Sequence, residues 1–376
     1  MLTRRALFPF RGKTRRRGNA MPGATLSRWT MSYFTVAGLM LLIGQGLIIA
    51  GYGYPFAAIG APETFALVHV IAIGWLSLLM AGALMQFVPV LVARPLAGAP
   101  LAAPALLLIV AGFGFLVTGF VALSGAVDLP LVLVPLGGAL LLLGFGLVTA
   151  VLAATLYSAR PLPLPARFVA AGLAALGATV FIGFAFTLAF SGLEETMPLA
   201  RLVSDGVGLH TLLGLGGWLS VTVAGVSCRL LSMFLLSPDI ERRTSRAALW
   251  AASFAIGLVA ACVPFVLFAV SGMTIPFVAA LLLKLVAALL YGGDVLTIYR
   301  ARKRSKAELN IRASFLAFAA LAFSIVRFNI PAVRAGEGIA AAVYLFVFGW
   351  PTGLGLAQLY KIVAFLTWLE AYGPVL

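Results

Sequence analysis

The sequence predicts an all-α protein, a bundle of about ten transmembrane helices that crosses a lipid bilayer many times. The chain is 62% apolar and 10% charged, with a mean hydropathy of +1.11, whereas a soluble domain carries about 25% charged residues. Its apolar runs are continuous stretches of Leu, Ala, Gly and Phe. They lack the alternation, in segments of roughly ten residues, that marks an outer-membrane β-barrel.

About ten runs reach the length of roughly 20 apolar residues that one membrane crossing requires. Several are longer, and we expect these helices to tilt or to protrude from the bilayer. No segment between them is long and polar enough for a soluble domain. The predicted spans are 30–52, 64–92, 99–124, 128–157, 164–191, 206–236, 246–271, 273–299, 311–330 and 338–369.

The net charge of +15 raises the question of a nucleic-acid partner, and the position of the charges answers it. With a cytoplasmic N-terminus, most of the 26 basic residues fall in segments on the cytoplasmic side. Arg201 and Arg327 are among the few on the opposite side. This asymmetry is the positive-inside rule. The basic excess therefore predicts topology, with both termini cytoplasmic in a bacterial inner membrane, and no nucleic-acid partner.

The chain divides into a basic tail and one membrane domain. Residues 1–29 include "RRALFPFRGKTRRR", which predicts a disordered cytoplasmic tail near anionic lipid. This tail has no apolar core of a cleaved signal peptide. Residues 30–372 form the predicted transmembrane domain.

Three predicted helices share a pattern centred on Gly-Trp. They read "IGWLSLLMAGALMQFVPV", "GGWLSVTVAGVSCRLLSM" and "FGWPTGLGLAQLYKIVAF". Small residues recur at the Gly of Gly-Trp and eight positions after it, which suits close helix packing in lipid. The matching helices are the second, sixth and tenth, so the pattern predicts pseudo-threefold repeats of four helices. The repeats cover about 30–157, 164–299 and 311–372.

These three helices resemble the corresponding helices of haem–copper oxidase subunit I and the nitric oxide reductase catalytic subunit. In particular, they resemble small bacterial membrane proteins of that type. In such relatives a His-x-His pair often precedes Gly-Trp. Here the first copy keeps His69 and the second keeps His210, while Ala342 and Tyr344 stand at the matching places of the third. An oxygen reductase needs histidines on its tenth helix and a copper-binding set on helices six and seven, so the resemblance does not imply a complete oxygen reductase.

The two histidines of the chain predict a shared site. Counted from the Gly of Gly-Trp, His69 lies at −5 and His210 at −7, which differ by about 3 Å in depth. At about 100° per residue the two positions point about 200° apart. In a ring of rotation-related helices, the side chains either meet between helices two and six or both point away. If they meet, they are candidate axial ligands of a b-type haem.

Other occupants of this site stay open. Copper is the less favoured metal, because the sulfur ligands Met85, Met233 and Cys228 lie far along the helices from the histidines. Binding of no cofactor at all is a further alternative, since a membrane histidine often bonds a neighbouring helix.

Four polar residues inside the predicted spans are candidates for a proton or ion path. Lys284 lies near the middle of the eighth span, where a lysine costs about 3 kcal/mol to insert. Some oxidases also carry a proton-channel lysine on this helix. Gln86, Arg229 and Lys361 occupy the same repeat position in the inner half of the membrane. The alternatives are a structural bond for Lys284 and snorkelling of the other side chains to the interface.

The sequence therefore leaves two classes of function. The first is a haem-binding protein linked to respiratory redox, oxygen or nitric oxide chemistry, with a membrane redox partner. The second is a non-redox carrier of protons or small solutes, or an assembly partner, on the same scaffold. No nucleotide-binding loop, nucleophile elbow or paired catalytic carboxylate occurs, so whether the protein is an enzyme stays open.

Overall fold

The computed structural model of the chain describes residues 27–192, 196–238, 241–328, 330 and 338–372. It confirms the predicted polytopic all-α bundle, because ten helices in the described residues are long and apolar enough to span a membrane. Only residues 27–29 of the predicted tail lie within this part of the chain. The helices, α1 to α10, are Ser27–Ile49, Pro62–Val92, Ala99–Leu123, Leu133–Tyr157, Leu164–Phe190, Val207–Leu235, Arg243–Leu267, Thr274–Arg300, Leu309–Phe328 and Gly338–Tyr372.

The bounds of several helices, such as α1 and α7, differ from the prediction by three or four residues, and two differences are larger. Helix α4 begins at Leu133 rather than at 128, because the preceding turn holds Gly125 at a positive φ of 78° and Pro130. A short helix, Met197–Asp205, precedes α6. Its nine residues include Arg201 and are too few and too polar for a span. This helix is tied to α7 where Arg201 Nη1 donates to the Leu267 carbonyl at 3.3 Å.

Helices α2, α6 and α10 each contain a π-helical segment at Gly-Trp. The segments are Val70–Ser77, Leu212–Leu219 and Leu345–Thr352, eight residues each, and no other described helix has one. Hydrogen bonds from residue i to i+5 widen a helix locally, and such segments occur frequently at functional sites. The backbone is therefore irregular at the same place in all three helices.

The glycine of each Gly-Trp pair lies against the preceding helix. A Cβ added at these glycines would fall under 3.0 Å from a side chain of α1, α5 or α9. The neighbours are Met40 for Gly74, Ala175 for Gly217 and Ala320 for Gly349. Only a residue without a side chain permits this close approach. In lipid the hydrophobic effect does not drive helices together, and close packing of this kind drives their association instead.

Two tryptophans link the three helices to one another. Trp218 Nε1 on α6 donates to Ser77 Oγ on α2 at 3.0 Å. Trp75 Nε1 on α2 donates to Thr352 Oγ1 on α10 at 2.9 Å. Both indoles are buried, and each acceptor lies two residues after the Trp of its own helix. The links therefore run in one direction, from α6 to α2 and from α2 to α10.

The third tryptophan has a different environment. Trp350 on α10 packs against Tyr291 of α8, with ring centroids 6.1 Å apart. The Tyr291 hydroxyl lies 2.6 Å from Ser227 Oγ on α6. Ser220, which occupies on α6 the place of Ser77, donates instead to its own Leu215 carbonyl at 2.5 Å. Helix α8 thus lies between α6 and α10 at this level.

Candidate functional site

His69 and His210 face each other between α2 and α6. Their ring centroids are 6.4 Å apart and their planes are inclined by 31°. Of the two arrangements that the sequence left open, the structure has the one in which the imidazoles meet. His69 immediately precedes the π segment of α2, and His210 lies two residues before that of α6.

Four phenylalanines surround the histidine pair. Phe120 of α3 lies 5.4 Å from the His69 ring, and Phe186 of α5 meets the His210 ring edge-on at 5.6 Å. Phe65 and Phe190 pack on each other at 5.4 Å, and both contact Phe120. The sequence analysis did not identify this aromatic cluster. Its members come from three helices, and phenylalanine is common throughout the chain, which contains 27.

The ring nitrogens of the two histidines differ in their partners. His69 Nδ1 lies 2.7 Å from the Phe65 carbonyl oxygen. A carbonyl can only accept, so Nδ1 carries the proton and Nε2 keeps its lone pair. Such a hydrogen bond also orients a metal-binding histidine. His210 Nδ1 is buried without a well-directed hydrogen bond among the described residues, and the His210 ring also interacts with the Thr179 backbone on α5.

The pair fits two axial ligands of one metal centre. A metal held between two imidazoles places the ring centres about 6 Å apart, since each metal–nitrogen bond is about 2.0 Å and a ring nitrogen lies about 1 Å from its ring centre. The measured 6.4 Å agrees with this separation. The His210 Nδ1 atom, which makes no well-directed hydrogen bond within the described residues, is a buried polar atom that a ligand would satisfy. No group of three or more His, Cys, Asp or Glu side chains that could hold a metal occurs in the described part of the chain.

Lys284 extends from α8 toward the π segment of α6. A Cβ added at Gly216 would lie 2.8 Å from the Lys284 Nζ, so the lysine occupies the space that this glycine leaves. The Nζ atom is buried and has no hydrogen-bond partner within the described residues. Gly216 lies six residues after His210, about 9 Å along the helix.

A cavity of about 250 Å³ lies in the half of the molecule where α5 and α7 begin. Asp294 is buried in its wall, 3.1 Å from Arg242 Nη1 and 2.6 Å from Thr244 Oγ1. This pairing agrees with the sequence, which places Asp294 too far along α8 to reach Lys284. Other residues of the wall are Cys228, Arg229, Glu241, Tyr291 and Thr297.

The three residues at the inner repeat position have different surroundings. Lys361 makes an ion pair with Glu308, which also pairs with Arg304. Arg229 lines the cavity, and Gln86 Nε2 is buried without a partner among the described residues. The shared position in sequence therefore does not give the three side chains one common ligand.

No protein-family model matches the chain, and no curated protein aligns with it significantly.

Proposed function

We propose that this membrane protein is redox-linked and of the haem–copper oxidase subunit I type, with His69 and His210 as axial ligands of one b-type haem. The facing imidazoles, 6.4 Å apart in an apolar enclosure, carry this proposal. When bound, a haem iron with two imidazole ligands supplies one-electron transfer. A membrane partner would exchange that electron.

The protein's own residues have three tasks at this site. The Phe65 carbonyl fixes the His69 proton on Nδ1, which leaves Nε2 with a lone pair available to a metal. Phe120 and Phe186 contact the two rings and exclude water, which lowers the local dielectric and so affects a reduction potential. The space at Gly183 receives the His210 ring, because a Cβ there would lie 3.1 Å from His210 Cε1.

The resemblance to oxidase subunit I also rests on the predicted repeat. Three π segments at Gly-Trp, each packed through its glycine on the preceding helix, support a threefold arrangement of four-helix units. The Trp-to-hydroxyl bonds from α6 to α2 and from α2 to α10 support the same rotation between units.

An absorbance spectrum tests the haem. The full chain, expressed with added haem precursor and purified in mild detergent, should show a Soret band. His69→Ala and His210→Ala should each lose it while eluting as the same monodisperse species. Val68→Ala, one residue from His69, is the matched control and should keep the band. Absence of a Soret band, or its persistence in both histidine variants, would contradict the proposal. Stoichiometric copper in a protein without haem would contradict it too and would assign the histidine pair to copper.

A second candidate function is proton transfer without redox chemistry. Lys284 Nζ is buried without a partner among the described residues, and Tyr291 lies seven residues further on the same face of α8. Tyr291 bonds Ser227 at 2.6 Å and lines the cavity. About 10 Å of helix separates Lys284 from Tyr291, so water molecules would have to complete this path.

Proton flux into liposomes tests the second candidate. Under a potassium diffusion potential, the reconstituted protein should acidify or alkalinise the lumen faster than empty liposomes do. Lys284→Met, which removes the charge but keeps an unbranched side chain only one atom shorter, should reduce the flux at least tenfold. Lys306→Met, in the exposed loop before α9, should not. Equal flux in Lys284→Met and the unaltered chain would remove this function.

A further inference from the structure

A second groove, outside the sites described above, opens on the lipid-facing side of the bundle. It has a volume of about 270 Å³ and lies between the first turns of α5 and α7. Its lining consists of Leu164, Arg167, Arg246, Leu249, Trp250 and Ser253. Both helices begin on the same side of the membrane, the side that the positive-inside rule makes cytoplasmic.

The two arginines lie at the same depth. Arg167 is three residues after the start of α5 at Leu164, and Arg246 is three residues after the start of α7 at Arg243. Arg167 uses its Nε to donate to the Leu162 carbonyl at 3.0 Å, and Arg246 uses Nη2 to donate to Glu241 at 2.9 Å. The bonds described leave both Nη groups of Arg167, and Nε and Nη1 of Arg246, as further donors.

Among the described residues that line the groove or bond to its lining, the two arginines and Glu241 leave an excess of one positive charge. Glu241 bonds Arg246, and its carboxylate also accepts from the Leu164 N–H at 3.2 Å. The hydrogen bond from Arg246, followed by that from Leu164, holds the pKa of Glu241 below its usual range. Glu241 is therefore charged at neutral pH and balances one of the two guanidinium groups.

The deeper part of the groove is apolar and open to lipid. Trp250 lies one turn further along α7 than Arg246 and is 62% exposed. Its ring packs at 6.0 Å on Phe254, which is equally exposed. Aromatic residues at this depth are typical of the membrane interface, where one end of the ring is apolar and the other wet.

We propose that this groove binds one anionic phospholipid of the cytoplasmic leaflet. The phosphodiester lies between Arg167 and Arg246, whose guanidinium groups form charge-assisted hydrogen bonds with phosphate oxygens. An acyl chain descends along Leu249 and Trp250. The single excess positive charge matches the single negative charge of a phosphodiester, and basic grooves between helices on this side are known to bind such headgroups.

Lipid retention measured by native mass spectrometry tests the site. The full chain is exchanged into phosphatidylglycerol or phosphatidylcholine with identical acyl chains, and the lipid molecules retained per protein are counted. We expect one phosphatidylglycerol to be retained well beyond phosphatidylcholine. Arg167→Gln and Arg246→Gln should each weaken retention about fivefold, as expected for one interfacial charge.

Arg312→Gln is the matched control for these variants. Arg312 is one turn into α9 on the same side, and its Nε also donates to a carbonyl five residues earlier, at 3.2 Å. This control should retain phosphatidylglycerol like the unaltered chain. Equal retention of the two lipids, unchanged retention in the Arg167→Gln/Arg246→Gln double variant, or release of the lipid by millimolar inorganic phosphate would overturn the proposal.

Discussion

Two glycines of α6 show how differently single residues contribute to this fold. Gly216 faces the flexible end of Lys284, whereas Gly225 faces the Cβ of Phe168 and the Pro165 carbonyl oxygen, which an added Cβ would approach to 3.0 Å. A lysine can move its ammonium group aside, but a neighbouring helix cannot shift without loss of packing.

We therefore expect opposite results from two alanine variants. Gly225→Ala should lower the free energy of unfolding by about 1–3 kcal/mol through overpacking. Gly216→Ala should change it by less than about 1 kcal/mol but displace Lys284 Nζ. Thermal unfolding in the same detergent measures both variants. Equal loss of stability would show that Lys284 is as constrained as the helix backbone.

The ion pairs of Glu308 make the stability of the fold depend on pH. The hydrogen bond from Lys361 mainly, and the charge of Arg304 in addition, hold the pKa of Glu308 below its usual value. A lowered folded pKa means that the stabilisation is complete above about pH 4.3, the unfolded value, and is lost as the pH falls through the folded pKa.

The size of this pH effect is small because the ion pair is about one third exposed. We expect on the order of 0.5 kcal/mol after solvent screening. Melting temperatures between pH 6 and pH 3 should therefore fall more steeply for the unaltered chain than for Glu308→Gln. Parallel curves would exclude a stabilising role of the Lys361–Glu308 pair.

At the scale of elements, the Trp-to-hydroxyl bonds fix α2, α6 and α10 against each other. Ser77→Ala would leave the Trp218 N–H without its acceptor, and Thr352→Val would do the same to Trp75. A buried donor without a partner costs about 1–3 kcal/mol, so both variants should unfold at lower temperature. Thr367→Val on α10 is the control, because Thr367 is exposed and bonds its own helix at Val363. Melting temperatures equal to that of the control would show that neither bond contributes to stability.

The sequence predicted the helices and reduced the histidines to two arrangements, of which the structure has the one where they meet. It did not predict the π segments. The π segments of α2 and α6 cover nearly the same positions about Gly-Trp, with a shift of one residue, so the offset of two positions between His69 and His210 was only slightly affected. Each segment contains a glycine, Gly74, Gly217 or Gly349, at which a neighbouring helix approaches closely. Hydrophobic periodicity within one helix contains no record of such contacts.

The candidate site was predictable to a similar extent. Two rare residue types in matching helices identified His69 and His210, and the cost of burying a charge identified Lys284. The phenylalanine cluster was not predictable, because nothing distinguishes Phe120 or Phe186 from the other phenylalanines before the helices are assembled. The partner of Lys361 depended on the loop before α9, which brings Glu308 next to Lys361 on α10.

At the scale of the whole molecule, the distribution of basic residues predicts its orientation. Single cysteines placed in a background without Cys228 and Cys262 can test it with a membrane-impermeant maleimide. Asp128→Cys, in the exposed turn before α4, should react in intact bacteria. Lys303→Cys, in the exposed loop after α8, should react only after lysis. The reverse pattern would invert the molecule and place the histidine pair near the cytoplasm.

The two Trp-to-hydroxyl bonds join α6 to α2 and α2 to α10, and no such bond joins α6 to α10 within the described residues. Hydrogen bonds of this kind therefore hold two of the three contacts among α2, α6 and α10. A separation of α6 from α10 would therefore break neither Trp-to-hydroxyl bond, but it would disturb Tyr291, which bonds Ser227 of α6 and packs on Trp350 of α10. Since the histidines lie on α2 and α6, a motion along that seam would rearrange the surroundings of Tyr291 and leave the spacing of the imidazoles unchanged.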